Sequence, residues 1–183
     1  MKTPVLVLLA GLLLGFTSCA GNKTAWQDFR MPDADFAVSM PGQPKLSKDA
    51  TEKDGTISRG YMVDQGRVAY AVYYSVFPPS KNKKPPSPDQ LLDSVRDELV
   101  PSMKSKLRGE RRFALGETRA TELILDVPES KAEEASVIKV RIYVRRDQTR
   151  RAVLYQSLVV GPAGYDANPS VARFLDSFHF VTG

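Results

Sequence analysis

His179 is the only histidine in the chain, and imidazole is the side chain most often used as a general base or a metal ligand. A single histidine rules out a multi-histidine metal site. It allows a Ser-His-Asp arrangement only through His179, with Asp176 and Ser177 beside it in sequence. Adjacency along a chain is not a triad, and no nucleophile-elbow motif accompanies it, so a plain strand histidine is the expected reading. Asp33 with Asp35, or Glu129 with Glu133 and Glu134, offer oxygen ligands for Ca²⁺ or an acid and base pair. Neither set has the spacing of an EF-hand loop, and acids in polar segments are ordinarily just solvated. There is no GxGxxG and no P-loop pattern for nucleotide phosphates. These patterns point to no catalytic residue, no cofactor and no metal, and an enzyme is not expected.

The strongest nonrandom feature is basic. Between Val137 and Arg151 lie Lys139, Arg141, Arg145, Arg146, Arg150 and Arg151, with Asp147 as the single acid. A hairpin there brings Arg145 and Arg146 close to Arg150 and Arg151 and concentrates charge at one end of a sheet. Cations near an anionic headgroup surface contribute about 1 kcal/mol each. A solvated strand face whose charges discourage edge-to-edge association accounts for the same residues and is the more ordinary arrangement.

Cys19 is the only cysteine, so no internal disulfide can form. It ends a segment that begins with Met1 and Lys2 and runs through the apolar stretch Val5 to Phe16 before Thr17 and Ser18. A charged start, an apolar middle and small residues at the end are the layout of a signal peptide. A membrane-spanning helix needs about 20 apolar residues, and this run stops well short of that. Phe16-Thr17-Ser18-Cys19 resembles the lipobox of bacterial lipoproteins, with Phe16 where Leu, Val or Ile is usual. The resemblance implies a diacylglyceryl group on the Cys19 thiol and cleavage before it, which would hold the domain to a membrane in the cell envelope, facing the periplasm or exterior. Ala20, where some inner-membrane lipoproteins carry Asp, favours the outer membrane in an organism that has one. Nucleic acid is not an expected target outside the cytoplasm.

The expected division is therefore a signal over 1–18, the lipidated cysteine and a short tether over 19–28, and one domain over 29–183. The tether can extend about 25 to 35 Å at about 3.3 to 3.6 Å per residue. Roughly 160 residues suffice for one core without a disulfide or metal. The signal holds one of the 26 Lys and Arg and none of the 21 Asp and Glu, so the mature part stays mildly basic.

Within the domain, periodicity predicts strands at Phe36–Met40, Lys45–Ala50, Thr56–Asp64 and Arg67–Phe77, the last uncharged on both faces and so central. A stiff Pro- and Lys-rich loop, Pro78 to Pro88, leads into a helix opened by Ser87, Pro88 and Gln90, whose Leu91, Val95, Leu99, Met103 and Leu107 recur every fourth residue. Pro101 is expected to kink or split that helix, and Gly109 to end it. Strands follow at Arg111–Gly116, Thr118–Val127, Val137–Arg146 and Arg151–Val160. In the third, Ile138, Val140, Ile142 and Val144 form a core face opposite a largely polar one. Asn168-Pro169 opens a second helix, and Phe178 to Val181 closes as a short strand. The fold class is α+β, an antiparallel sheet of about six to seven strands with helices packed on it.

Phe36-Ala37-Val38-Ser39-Met40-Pro41-Gly42-Gln43-Pro44, the Tyr-rich central strand, the Leu91 to Leu107 helix and Phe174-Leu175-Asp176-Ser177-Phe178 resemble the PsbP and Mog1-like superfamily over most of Phe36 to Val181. The resemblance implies an α/β/α sandwich and a non-enzymatic binding or supporting role, and it carries no functional residue across. The leading expectation is a membrane-anchored, non-catalytic domain that binds or supports another envelope protein. The alternative is a small apolar or anionic ligand held between sheet and helix near Tyr61, Tyr70, Tyr73 and Tyr74.

Overall fold

A computed structural model describes residues 25–79, 86–130, 134–147, 149 and 151–181. The expected signal, Cys19, most of the Pro- and Lys-rich loop, Glu133 and Arg150 lie outside the described residues. No helix among the described residues is long and apolar enough to cross a membrane.

The chain runs through β1 (Gln27–Arg30), β2 (Phe36–Met40), β3 (Lys45–Thr51), β4 (Ile57–Asp64), β5 (Ala69–Val76) and α1 (Pro88–Ser102). It continues through β6 (Lys106–Leu115), β7 (Thr118–Val127), β8 (Ser136–Arg146), β9 (Ala152–Pro162), α2 (Pro169–Asp176) and β10 (His179–Phe180). Seven strands form an antiparallel sheet in the order β3-β4-β5-β9-β8-β7-β6. Two hairpin-linked meanders, β3 to β5 and β6 to β9, are thus zipped together where β5 meets β9. This is the expected α+β class, with α1 on one face and α2 on the other.

The two faces are packed with different chemistry. Under α1, Leu91, Leu92, Val95 and Leu99 bury against Leu123, Leu125, Ile138, Val140 and Ile142. Under α2 the core is aromatic: the Tyr143 and Phe178 rings stack with centroids 4.2 Å apart, and Phe36, Tyr155 and Phe174 join them. That second face is also covered by a three-stranded sheet, β1-β2-β10. The β8 face expected to be largely polar carries Lys139, Arg141 and Arg145, all partly exposed, but is covered at Tyr143, which is only 1% exposed.

The beginning of α1 follows its sequence signature. The Gln90 N–H donates to Ser87 Oγ at 3.2 Å, and the Ser87 N–H donates to Gln90 Oε1 at 2.8 Å. Its end does not. The helix stops at Ser102 instead of running to Leu107, because Pro101 supplies no N–H to the ladder and Lys104 then turns left-handed at φ 49°. The Ser105 N–H closes the turn on the Val100 carbonyl at 3.1 Å. Leu107 and Gly109 consequently belong to β6, where the register slips between them. The other outer strand, β3, carries a similar slip between Leu46 and Lys48. Irregularities of this kind blunt both sheet edges. The last short strand, β10, pairs with β2 and so belongs to the smaller sheet.

Candidate functional site

A concavity lies at the β8–β9 hairpin end, between that hairpin and the segment joining β1 to β2. It has a volume of about 730 Å³ and is lined by residues including Arg30, Asp33, Asp35, Tyr74, Arg145, Arg151 and Tyr155. One wall is the turn after β1, where the Met31 N–H donates to the Phe36 carbonyl at 3.1 Å and Met31 itself is 1% exposed. Asp33 sits at the crest with φ 59° and is held by Arg59, which also pairs with Asp49 at 3.2 Å. Those carboxylates, Asp33 foremost, hold the Arg59 guanidinium above its ordinary pKa.

Asp35 joins the two walls. Its carboxylate accepts from the Tyr155 hydroxyl at 2.6 Å and from Arg145 at 2.8 Å, and its carbonyl accepts from the Val181 N–H at 2.9 Å. Arg145 also lies over the Phe180 ring, 4.3 Å from its centre. Burial and then the neighbouring Asp35 carboxylate push the Tyr155 hydroxyl well above its ordinary pKa, so it stays a hydrogen-bond donor. Side chains from β8 and β9 and the backbone after β10 are tied to one aspartate just ahead of β2.

The hairpin is clipped by a second aspartate. Asp147 accepts from the Thr149 N–H at 2.9 Å, the Thr149 hydroxyl at 2.7 Å, the Arg151 N–H at 2.9 Å and Arg151 Nε at 2.7 Å. Partial burial alone would raise the Asp147 pKa, but these donors outweigh it and hold the carboxyl at about 2. Two groups in the cleft are left uncommitted. Arg30 makes no ion pair among the described residues, and Tyr74, its ring 5.7 Å from Tyr155, makes no hydrogen bond through its hydroxyl among them. Burial raises the Tyr74 pKa, with Arg151 acting in the opposite direction.

Of the six cations read from the sequence, the five that are described do not form one patch: Arg145, Arg146 and Arg151 meet at the hairpin end, and Lys139 and Arg141 lie apart from them. Lys139 and Arg141 point to the α2 face, where Glu122 lies 3.9 Å and 2.7 Å from them and Arg141 also meets Asp176 at 2.7 Å. Burial acts to lower the Arg141 pKa, and the hydrogen bonds to Glu122 and Asp176 more than reverse it. Arg145 and Arg151 line the cleft already paired with carboxylates. Arg146, on the opposite face of β8, lines the cleft too and donates to the Pro86 carbonyl at 2.7 Å. Distance along one face of β8 separates Lys139 and Arg141 from Arg145, and alternation puts Arg146 on the other face.

The remaining candidates are not brought together. His179 is exposed, with Nδ1 2.9 Å from the Ser177 carbonyl. Ser177 Oγ donates to the Phe174 carbonyl at 2.7 Å and accepts from the Ser39 N–H at 2.9 Å, while Asp176 is turned to Arg141. No triad geometry results. Asp33 and Asp35 each hold a different arginine, Glu134 holds Arg67, and Glu129 is exposed. Among the described residues, no three His, Cys, Asp or Glu stand together as metal ligands would. The tyrosines expected to frame a ligand between sheet and helix scatter instead. Tyr70 is buried with its hydroxyl 3.0 Å from that of Tyr165, Tyr61 packs on Phe29, and Tyr73 lies over Gly60, where any Cβ would overlap its ring. Only Tyr74 reaches the cleft, which is bounded by a turn and a hairpin and not by a helix. Arg30 and Tyr155 had no signal that could single them out.

No family model matches the chain, and no curated protein sequence does. Solved structures with distant likeness include PA94, a protein of unknown function from Pseudomonas aeruginosa (15% identity, 80% of this chain and 90% of that one, TM-score 0.42). They also include the Ran-binding protein Mog1p of Saccharomyces cerevisiae (10% identity, 86% and 96%, TM-score 0.45). A third is LpqN, involved in cell envelope biogenesis of Mycobacterium tuberculosis (11% identity, 88% and 87%, TM-score 0.45). Likeness this distant carries no residue or role across, and the function rests on the chain's own geometry.

Proposed function

We propose that this chain is a lipid-anchored, non-catalytic domain of the cell envelope that meets another envelope protein with the hairpin end of its sheet. The anchor is Cys19, after a segment laid out as a signal peptide, and Ala20 favours the outer membrane where there is one.

The observation that carries the reading is where the domain begins. Trp26 packs edge-on against Tyr70 with ring centres 5.9 Å apart, and Tyr70 pairs with Val159. The cleft touches the same strand at Val153 and Tyr155. From Val153 to Val159 the strand rises about 20 Å at ~3.3 Å per residue. The chain between Cys19 and Trp26 spans at most about 25 Å. A tether that joins the domain at Trp26 holds the domain within about 25 Å of the bilayer, and with the Trp26 end toward the lipid the cleft and its arginines face the aqueous side. Those cations then serve a protein surface better than the headgroups of the anchoring membrane.

Gentle crosslinking in isolated membranes tests this, with Cys19→Ala and a double Arg145→Glu, Arg151→Glu variant as comparisons. The expected result is one recurrent partner with the wild-type chain, lost with either variant, and a mass on the N-terminal peptide showing acylated Cys19. Repeated recovery of no partner by a lipidated wild-type protein sinks the reading.

A further inference from the structure

The cleft contains one cation that the fold does not use. Four arginines line it, and three are committed: Arg145 to Asp35, Arg151 to Asp147 and Arg146 to the Pro86 carbonyl. Arg30 makes no side-chain hydrogen bond or ion pair among the described residues. A guanidinium offers a planar fork of donors that matches a carboxylate in two parallel hydrogen bonds. A second donor is available in the same space, the Tyr74 hydroxyl, unbonded among the described residues on a ring that lines the cleft.

The rest of the lining decides what kind of anion fits. Asp33, Asp35 and Asp147 also face the cleft against the four arginines, so the lining carries a net charge of +1. A monoanion on Arg30 balances that charge, and a dianion would exceed it. The lining also offers accessible apolar surface: Pro32, Ala34, Val181 and the Tyr74 ring line it, above the buried Met31 and Val153. A bare inorganic ion would leave this surface wet. The volume of about 730 Å³ lies within the range of sites that hold small ligands. Both walls are already fixed through Asp35, so little ordering has to accompany binding.

We propose that the cleft is a binding site for a monoanionic carboxylate bearing an apolar group, with the carboxylate on Arg30, the Tyr74 hydroxyl available as a further donor, and the apolar part along Pro32, Ala34 and Val181. Such a group occurs on free carboxylic acids and at the C-terminus of a polypeptide that ends in an apolar residue. The proposal deepens the reading above, since a partner's C-terminus would enter at the end of the domain turned to the aqueous side.

Calorimetry on the full-length protein in lipid nanodiscs, with empty nanodiscs subtracted, separates the cases. The probes are 3-phenylpropionate, a short peptide ending in Phe with a free carboxylate, the same peptide amidated, and inorganic phosphate. Binding of at least one free carboxylate is expected, with the amide weaker by about tenfold or more, as loss of a charge-assisted pair implies. Arg30→Ala should weaken it by a similar factor and Tyr74→Phe by a smaller one, both with unchanged thermal unfolding. Preference for the peptide over 3-phenylpropionate assigns the ligand to a partner's C-terminus, and equal or better binding of 3-phenylpropionate assigns it to a free acid. The proposal is overturned if neither acid binds at millimolar concentration, if the amide or phosphate binds as well as the acids, or if Arg30→Ala binds like the wild type. Because only the purified chain is used, this outcome is independent of whether crosslinking recovers a partner.

Discussion

The two ends of the β5–β9 pair are built from the same residue type and finish differently. At the Trp26 end, Tyr70 is 1% exposed, packs edge-on against Phe174 with centres 5.4 Å apart, and shares a hydrogen bond with Tyr165. Arg173 lies over the Trp26 ring, 4.5 Å from its centre, and completes the closure. At the hairpin end, Tyr155 is as deeply buried but bonds to the carboxylate of Asp35, which is itself held by Arg145. Neutral hydroxyls can satisfy one another inside an aromatic cluster, so that end closes. Ionised groups must stay near water even when paired, because full desolvation costs more than the pair returns. The hairpin end therefore remains a cleft. A tyrosine's partner, and not the tyrosine, decides whether its end of the sheet becomes core or site.

The largest effect that can sharpen this contrast is at the closed end. Phe174 is fully buried against Tyr70, and Phe174→Ala should lower stability by about 3 to 5 kcal/mol, read as a shift of the denaturant midpoint. If the change costs under about 1 kcal/mol, that end is not the rigid half of the domain and the contrast fails.

The closed end was largely legible beforehand, and the open end was not. Val171, Phe174, Leu175 and Phe178 announce a helix face by their spacing, and Asn168-Pro169 marks its start, with the Ser170 N–H donating to Asn168 Oδ1 at 2.9 Å. Local rules of this kind need only neighbouring residues. The same rules misplace the end of α1, because Leu107 continues the four-residue spacing of Leu91 to Met103 while its strand partners lie on β7, beyond the reach of a local pattern. The cleft depends on contacts between residues 110 and 120 positions apart, Asp35 with Arg145 and with Tyr155, and an ion pair has no period to read. Six cations in fifteen positions look like a patch until Glu122, farther along the face that Arg145 shares, takes Lys139 and Arg141, and alternation sends Arg146 to the other face.

An intermediate effect compares the two tyrosine hydroxyls directly. Tyr155→Phe removes a donor to a carboxylate and should cost about 1.5 to 3 kcal/mol, whereas Tyr70→Phe removes one between neutral hydroxyls and should cost about 0.5 to 1.5 kcal/mol. Thermal unfolding of the two variants under one condition measures the order. Reversal of that order would mean that Asp35 is satisfied by Arg145 and water without Tyr155, and that the two walls of the cleft are joined less firmly than the distances indicate.

The smallest effect is confined to the hairpin itself and distinguishes the ends by pH. The Asp147 carboxyl titrates at about 2 in the folded chain against an ordinary value of 3.8. A depressed folded value means that the clip stabilises the hairpin above about pH 4, and that this contribution is lost as pH falls through the folded value. Because Asp147 is partly solvated, the loss should be modest and local. Amide hydrogen exchange around Arg151 should therefore accelerate below pH 4 in the wild type, relative to the intrinsic exchange rate, while amides near Tyr70 keep their protection. In Asp147→Asn the extra acid sensitivity should vanish, with faster exchange at all pH values. Equal acid sensitivity at both ends would show that the titrating groups act through the whole sheet, and the hairpin end would then lose its claim to move independently of the aromatic end it grows from.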